Sequence, residues 1–237
     1  MVLAKEVIVA LDFATGEEAL AFLDLFQGQS LFVKVGLELY LQAGAPLVQQ
    51  IKASGHRIFL DLKLHDIPNT VYRAAKGLAN LQVDLLTVHA AGGSRMLQAA
   101  KRGLAEGGAE RTQVLAVTQL TSTSQAQMQQ EQLIAVSLAE SVRHYAQLAQ
   151  QAGVDGVVCS VQEVSDLASC LAPTFLKVTP GIRLATSPQD DQARIATPEQ
   201  AATAGSTHIV VGRPITQASN PVEAYQQIKY AFLGGKL

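Results

Sequence analysis

Residues 60–70 read Leu-Asp-Leu-Lys-Leu-His-Asp-Ile-Pro-Asn-Thr. Two carboxylates (Asp61 and Asp66), an ammonium (Lys63) and an imidazole (His65) occupy a stretch that begins as an apolar strand. Strand residues two apart face the same way, so Asp61 and Lys63 share a face and the leucines around them take the other. Asp66 falls past the strand end. Pro68 keeps residue 67 out of helical geometry and suits the start of a helix. Asp12 ends the apolar run 7–13, and Lys34 sits in Leu-Phe-Val-Lys-Val-Gly at 31–36. Buried charge is costly unless paired, so Asp12, Lys34, Asp61 and Lys63, with Asp66, are expected to converge and pair with one another. Alternating sign would keep the carboxylates ionised and both lysines protonated. A structural ion-pair cluster would explain one such pair. Five ionisable groups converging from three strands point to a catalytic charge network.

A second group of residues suits phosphate. Ile-Val-Val-Gly-Arg-Pro-Ile-Thr at 209–216 is a strand running into Gly212 and Arg213. Glycine admits close backbone approach, and a guanidinium offers a planar fork of donors. Taken alone, this is equally an ordinary strand-to-helix turn. Pro180, Gly181 and Arg183 in Val-Thr-Pro-Gly-Ile-Arg place a second arginine at another strand end and shift the balance to phosphate.

These residues need a scaffold that gathers strand ends. Short β-branched runs recur at 7–13, 31–36, 57–63, 85–90, 113–120, 156–160, 175–179 and 208–212, with helix-length segments between them. Eight βα units with strands apolar on both faces predict a parallel sheet, most simply closed as a single-domain (β/α)8 barrel. A doubly wound open sheet is the alternative, but no Gly-x-Gly-x-x-Gly follows the first strand. Two stretches after strands, 121–132 and 184–199, read as long loops at the catalytic end, and a long helix is expected over 131–152.

Composition narrows the function classes. Of 237 residues, 48 % are apolar and 16 % charged, which supports a large core. The net charge of −2, from 18 Lys+Arg and 20 Asp+Glu, gives no basic field for nucleic acid or an anionic membrane. Lys5, Glu6 and Asp12 interrupt the N-terminal apolar run, which excludes a membrane span there. Two cysteines without a zinc spacing, Cys159 and Cys170, fit a reduced cytoplasmic protein. His89 ends the fourth strand and is a candidate metal ligand with Asp61 and Asp66, or a hydrogen-bonded residue of the mouth. Nearby ammonium groups would repel a cation. His56, His144 and His208 read as structural or surface residues, and Cys159 as a small core residue. Ser122 and Ser160 lack a Gly-x-Ser-x-Gly elbow, which disfavours a hydrolase triad.

With these motifs in order, the chain resembles the orotidine 5′-phosphate decarboxylase family along nearly its whole length. The resemblance rests on LDF at 11–13, VKVG at 33–36, LDLKLHDIPNTV at 60–71, VHA at 88–90, LTS at 120–122, TPGIR at 179–183, DDQ at 190–192 and VGRPI at 211–215. It implies a (β/α)8 homodimer that converts orotidine 5′-phosphate to UMP, the last step of de novo UMP synthesis, with no metal or organic cofactor. It implies Lys63 as proton donor and Lys34, Asp61 and Asp66 as the rest of the charged network. Asp66, Ile67 and Thr70 would complete the partner subunit's site. Asp12 and Lys34 would bind the ribose, and Thr121 the substrate. Ser122 would meet the pyrimidine edge, and Pro180 would lie beside the base. Arg183, Gln192, Gly212 and Arg213 would grip the phosphate.

Two other functions compete. One is a magnesium-dependent decarboxylase or aldolase of sugar phosphates, which shares an Asp-x-Lys-x-x-Asp motif. Lys34 stands where those enzymes place an acidic metal ligand. The other is a phosphometabolite-binding protein without catalysis, which the intact Asp61, Lys63 and Asp66 oppose.

Overall fold

The computed structural model describes residues 5–184 and 194–235. Eight parallel strands close a barrel in sequence order, the last pairing with the first. They are β1 (Glu6–Ala10), β2 (Phe32–Gly36), β3 (Arg57–Leu64), β4 (Leu85–His89), β5 (Gln113–Val117), β6 (Gly156–Val158), β7 (Leu176–Thr179) and β8 (His208–Val211). Helices between them form the outer ring: α1 (Gly16–Asp24), α2 (Leu37–Ala53), α3 (Pro68–Leu78), α4 (Gly93–Glu106), α5 (Gln125–Gln130), α6 (Leu138–Gln151), α7 (Val161–Cys170), α8 (Pro198–Ala204), α9 (Arg213–Thr216) and α10 (Pro221–Phe232).

Strand alternation builds two cores. Outward residues such as Val33, Val35, Ile58, Leu60, Leu86 and Val88 pack under the helices. Inward residues, among them Ile8, Phe32, Phe59, Leu85, Leu115 and Leu176, fill the barrel. Near-continuous apolar strands are what this double burial requires.

Some strands end earlier than their apolar runs. β1 stops at Ala10, so Asp12 belongs to the loop beyond the strand, and β5 stops at Val117. The helix expected over 131–152 starts later, as α6 at Leu138, and a separate short helix, α5, precedes it. Ser124 caps α5 inside the Gln-rich stretch read as loop. Ser137 and Glu140 form a reciprocal capping box that starts α6 at Leu138. Between them Leu133 takes a positive φ of 58°, which breaks the helical path. α2 is also broken, at Gly44 (φ 64°), where Pro46 follows.

The bottom of the barrel carries its own charge network. His208 Nε2 lies 3.7 Å from Glu6, Arg57 pairs with Glu6, and Asp84 binds both Arg57 and Lys52. Pairing with His208, and then with Arg57, holds the Glu6 carboxyl at about 2 against an ordinary 4.5, although burial opposes the shift. A depressed carboxyl pKa stabilises the fold above its unfolded value, and that stability is lost as pH falls through the folded value. Thermal melts of Glu6→Gln are therefore expected to show a shallower loss of stability than wild type between pH 4.5 and about 2.

Candidate active site

β2 and β3 bring the opening residues together above the inward apolar layer. Lys34 Nζ lies 3.0 Å from Asp12 Oδ1 and 3.9 Å from Asp61 Oδ2. Lys63 Nζ lies 2.8 Å from the same Asp61 oxygen. The order Asp12, Lys34, Asp61, Lys63 alternates in sign along the contact chain, which offsets the desolvation of each charge. Lys34 and Asp61 are largely buried, and Asp12 is exposed. Gly36 makes room for this: a Cβ there would sit 3.0 Å from Lys34 Nζ. Gly212 does the same for Asp12, whose Oδ2 would lie 3.2 Å from an added Cβ.

The local backbone departs from a regular strand. Leu60 pairs with Leu86, but the next partners are Leu64 and Val88. Three residues, Asp61–Lys63, therefore oppose the single residue Thr87. Lys63 has a φ of +53°, a left-handed conformation unfavourable for a side chain with a Cβ. Even so, the alternation of faces survives, since Leu62 and Leu64 pack on the helix side.

The cluster forms one wall of a cavity of about 590 Å³ at the C-terminal ends of the strands. Asp12, Lys34, Asp61 and Lys63 line it together with Pro180, Arg183, Gly212 and Arg213. Thr121 and Ser122 border it from the loop after β5. Phe59, Val117, Val158 and Val210 supply apolar lining. Arg183 is buried, and its Nη1 donates to the Ile182 carbonyl.

Three sequence-selected residues lie elsewhere. Asp66, Ile67 and Thr70 are exposed and do not line the cavity. The Asp66 carboxylate accepts from the Ile67 backbone N–H, so the expected five-charge convergence is a four-charge cluster within one chain. The reason is position: Asp66 follows the strand end and turns with the loop into α3. Gln192 lies outside the described residues.

Sequence reasoning missed several groups. Gln119 and Gln217 line the cavity, and Gln119 Nε2 donates to Ser141. Arg194 pairs with Glu163 and donates to the carbonyls of Leu120 (2.8 Å) and Thr121 (3.3 Å), so it holds the loop that borders the cavity. Thr87, fully buried on β4, bonds Asp61 and Lys63 together. Gln119, Arg194 and Thr87 do not announce themselves locally, because the partner of each lies more than 20 residues away.

His89 and His65 stand beside one another at the mouth, with ring centroids 5.3 Å apart. Burial, then the neighbouring His65 and Lys63, lower the His89 pKa and favour its neutral form. Among the described residues no group of three or more His, Cys, Asp or Glu is arranged to hold a metal ion. Likewise, no helix among them is long and apolar enough to cross a membrane.

Comparison with known proteins places this geometry. The model of the Orotidine 5′-phosphate decarboxylase / HUMPS family matches residues 5–228. The chain belongs to that family. An orotidine 5′-phosphate decarboxylase of Fusobacterium nucleatum is 56 % identical over 228 residues, 96 % of each chain. One of Staphylococcus aureus is 57 % identical over 226 residues, covering 95 % of this chain and 97 % of that one. The crystal structure of orotidine 5′-phosphate decarboxylase from Lactobacillus acidophilus superposes with a TM-score of 0.87 at 45 % identity, over 96 % of this chain and 99 % of the other. The eight-stranded barrel is thus the family's fold.

Proposed function

We propose that the Asp12–Lys34–Asp61–Lys63 cluster is where this carboxy-lyase decarboxylates orotidine 5′-phosphate to UMP, the last step of de novo pyrimidine biosynthesis. The observation that carries the assignment is Lys63 Nζ, 2.8 Å from Asp61 Oδ2 on the wall of a cavity that two arginines also line.

The substrate fits that polarity. Arg183, Arg213 and Gly212 take the phosphate, with Gln192 as a further contact. Asp12 and Lys34 take the ribose hydroxyls. Thr121 and Ser122 meet the pyrimidine edge, and Pro180 lies against the base. That leaves the carboxylate at C6 beside Asp61 and Lys63. When the C6–carboxylate bond breaks, its electron pair stays on C6 as a vinyl-type carbanion with little delocalisation. The ammonium of Lys63 faces that charge and then gives C6 a proton. A fixed cation in a water-poor site is worth far more than the same cation in water. An ordinary lysine ammonium, with a pKa of about 10.4, is also far more acidic than the C–H bond that forms. Asp61 holds Lys63 in place and lies near the departing carboxylate.

A magnesium-dependent sugar-phosphate reaction fits less well. Lys34 Nζ, between Asp12 and Asp61, occupies the place where such chemistry needs a carboxylate. Ultraviolet spectroscopy of orotidine 5′-phosphate mixed with the protein, with and without EDTA, tests the reading. Equal conversion to UMP in both is expected. Loss with EDTA would favour the metal reaction, and binding without conversion would favour a sensor.

We further read the protein as a cytoplasmic homodimer in which Asp66, Ile67 and Thr70 complete the partner's site. Support comes from the solvent-facing position of Ile67, which is 67 % exposed despite its size. Leu37 and Leu41, one turn apart on α2, are also exposed. If Lys63 and Asp66 of one site come from different subunits, mixing Lys63→Ala with Asp66→Ala protein rebuilds one intact site per mixed dimer. Recovery of about a quarter of wild-type activity is expected after subunit exchange. No recovery from dimers shown to have exchanged would overturn the shared site.

A further inference from the structure

The charged cluster does not explain what sets its own geometry. Asp61 must present one oxygen to two ammonium groups, and Lys63 must hold an unfavourable backbone conformation beside it. Both depend on a stretch where β3 has lost its regular pairing with β4. In that gap Thr87 is fully buried and faces the barrel interior. Its Oγ1 accepts from the Lys63 backbone N–H at 2.9 Å and donates to Asp61 Oδ1 at 2.9 Å.

The direction of both bonds follows from chemistry. A backbone N–H can only donate and a carboxylate can only accept, whereas a hydroxyl can do both and has one proton to donate. The Thr87 proton is therefore committed to Asp61. With Oδ1 held, Oδ2 is turned toward Lys63 Nζ at 2.8 Å and Lys34 Nζ at 3.9 Å. The same hydroxyl satisfies an amide that the bulge has taken out of the strand ladder.

We infer that Thr87 is a positioning residue for the decarboxylation: its hydroxyl clasps the β3 bulge and thereby aims both the Asp61 carboxylate and the Lys63 ammonium. Thr87 does not line the cavity, so it acts through Asp61 and Lys63. This inference rests on the functional reading above for its kinetic consequence, but not for its structural one.

Thr87→Val removes the hydroxyl at constant shape, and Thr87→Ser keeps it. Misplacing a reacting group by about an ångström costs on the order of 10²-fold. Thr87→Val is accordingly expected to lose about 10- to 100-fold in kcat with KM within about threefold, since the phosphate grip is untouched. Thr87→Ser is expected to stay within about threefold of wild type in both. A methyl that merely fills space would give the opposite order, with serine as damaging as valine or worse, and would overturn the inference. So would a Thr87→Val enzyme with unchanged kcat.

Amide hydrogen exchange at Lys63 supplies a readout independent of turnover. Slow exchange is expected in wild type and Thr87→Ser. Should Thr87→Val fail to fold, fast exchange at Lys63 in the other two would overturn the clasp and slow exchange would support it. If the wild type left orotidine 5′-phosphate unchanged, the functional reading would fail while the clasp was still decided by exchange.

Discussion

Lys63→Ala is expected to lower turnover of orotidine 5′-phosphate by more than about 10⁴-fold. Two contributions leave with one side chain. A fixed donor aimed at developing charge is worth roughly 10²- to 10³-fold, and a positioned proton donor roughly 10²- to 10⁴-fold. The fold is expected to survive, because Asp61 keeps Thr87 at 2.9 Å and Lys34 at 3.9 Å. The backbone sharpens the experiment. At a φ of +53° alanine is as strained as lysine, whereas glycine is not. Lys63→Gly should therefore exceed Lys63→Ala in stability by about 1 kcal/mol, or roughly 2–4 °C in melting temperature for a chain of this size. Both variants should be inactive. Steady-state kinetics and thermal melts on the three proteins check this together. Near-normal turnover in Lys63→Ala would remove the role assigned to the ammonium. A glycine variant no more stable than the alanine one would contradict a strained catalytic backbone.

Arg213→Ala is expected to reduce kcat/KM for orotidine 5′-phosphate by roughly 10²- to 10³-fold, about 3–4 kcal/mol, mostly through KM. Arg213 lines the same cavity as the lysines, beside Gly212 just past the end of β8. A guanidinium there meets a phosphate through charge-assisted bonds that no other substrate group replaces. The control is orotidine, which lacks the phosphate. Its slow conversion should be the same in wild type and variant within about threefold, because nothing it offers reaches Arg213. An equal loss on both substrates would show that Arg213 supports the site structurally instead of holding phosphate. The comparison also separates phosphate capture from chemistry, since Lys63→Ala should damage both substrates alike.

Much of the barrel is legible along the chain. Each observed strand falls within, or one residue beyond, a β-branched run, because burial on both faces demands continuous apolar sequence. The facing of Asp61 and Lys63 is likewise a local matter of period two. The helix expected over 131–152 begins only at Leu138, although Ser137-Leu138-Ala139-Glu140 spells a capping box. Its signal was masked by a Gln-rich run with good helix propensity on the other side. Asp66 shows a different limit. Its type and spacing match the cluster, but one strand end separates it from the residues it was expected to join.

Residue type and periodicity act over a few positions, and from them the sequence alone determined the eight βα units, the charged inventory and the two arginines at strand ends. The tertiary structure decided which oxygen of Asp61 meets which ammonium, that Thr87 binds both halves of the bulge, and that Arg194 and Glu163 tether the cavity's rim. Apart from Asp61 with Lys63, those contacts join residues 24 to 74 positions apart. They depend on how neighbouring strands register and where one of them bulges, and no short-range pattern encodes the register of a strand against a neighbour it reaches only after a whole helix has intervened.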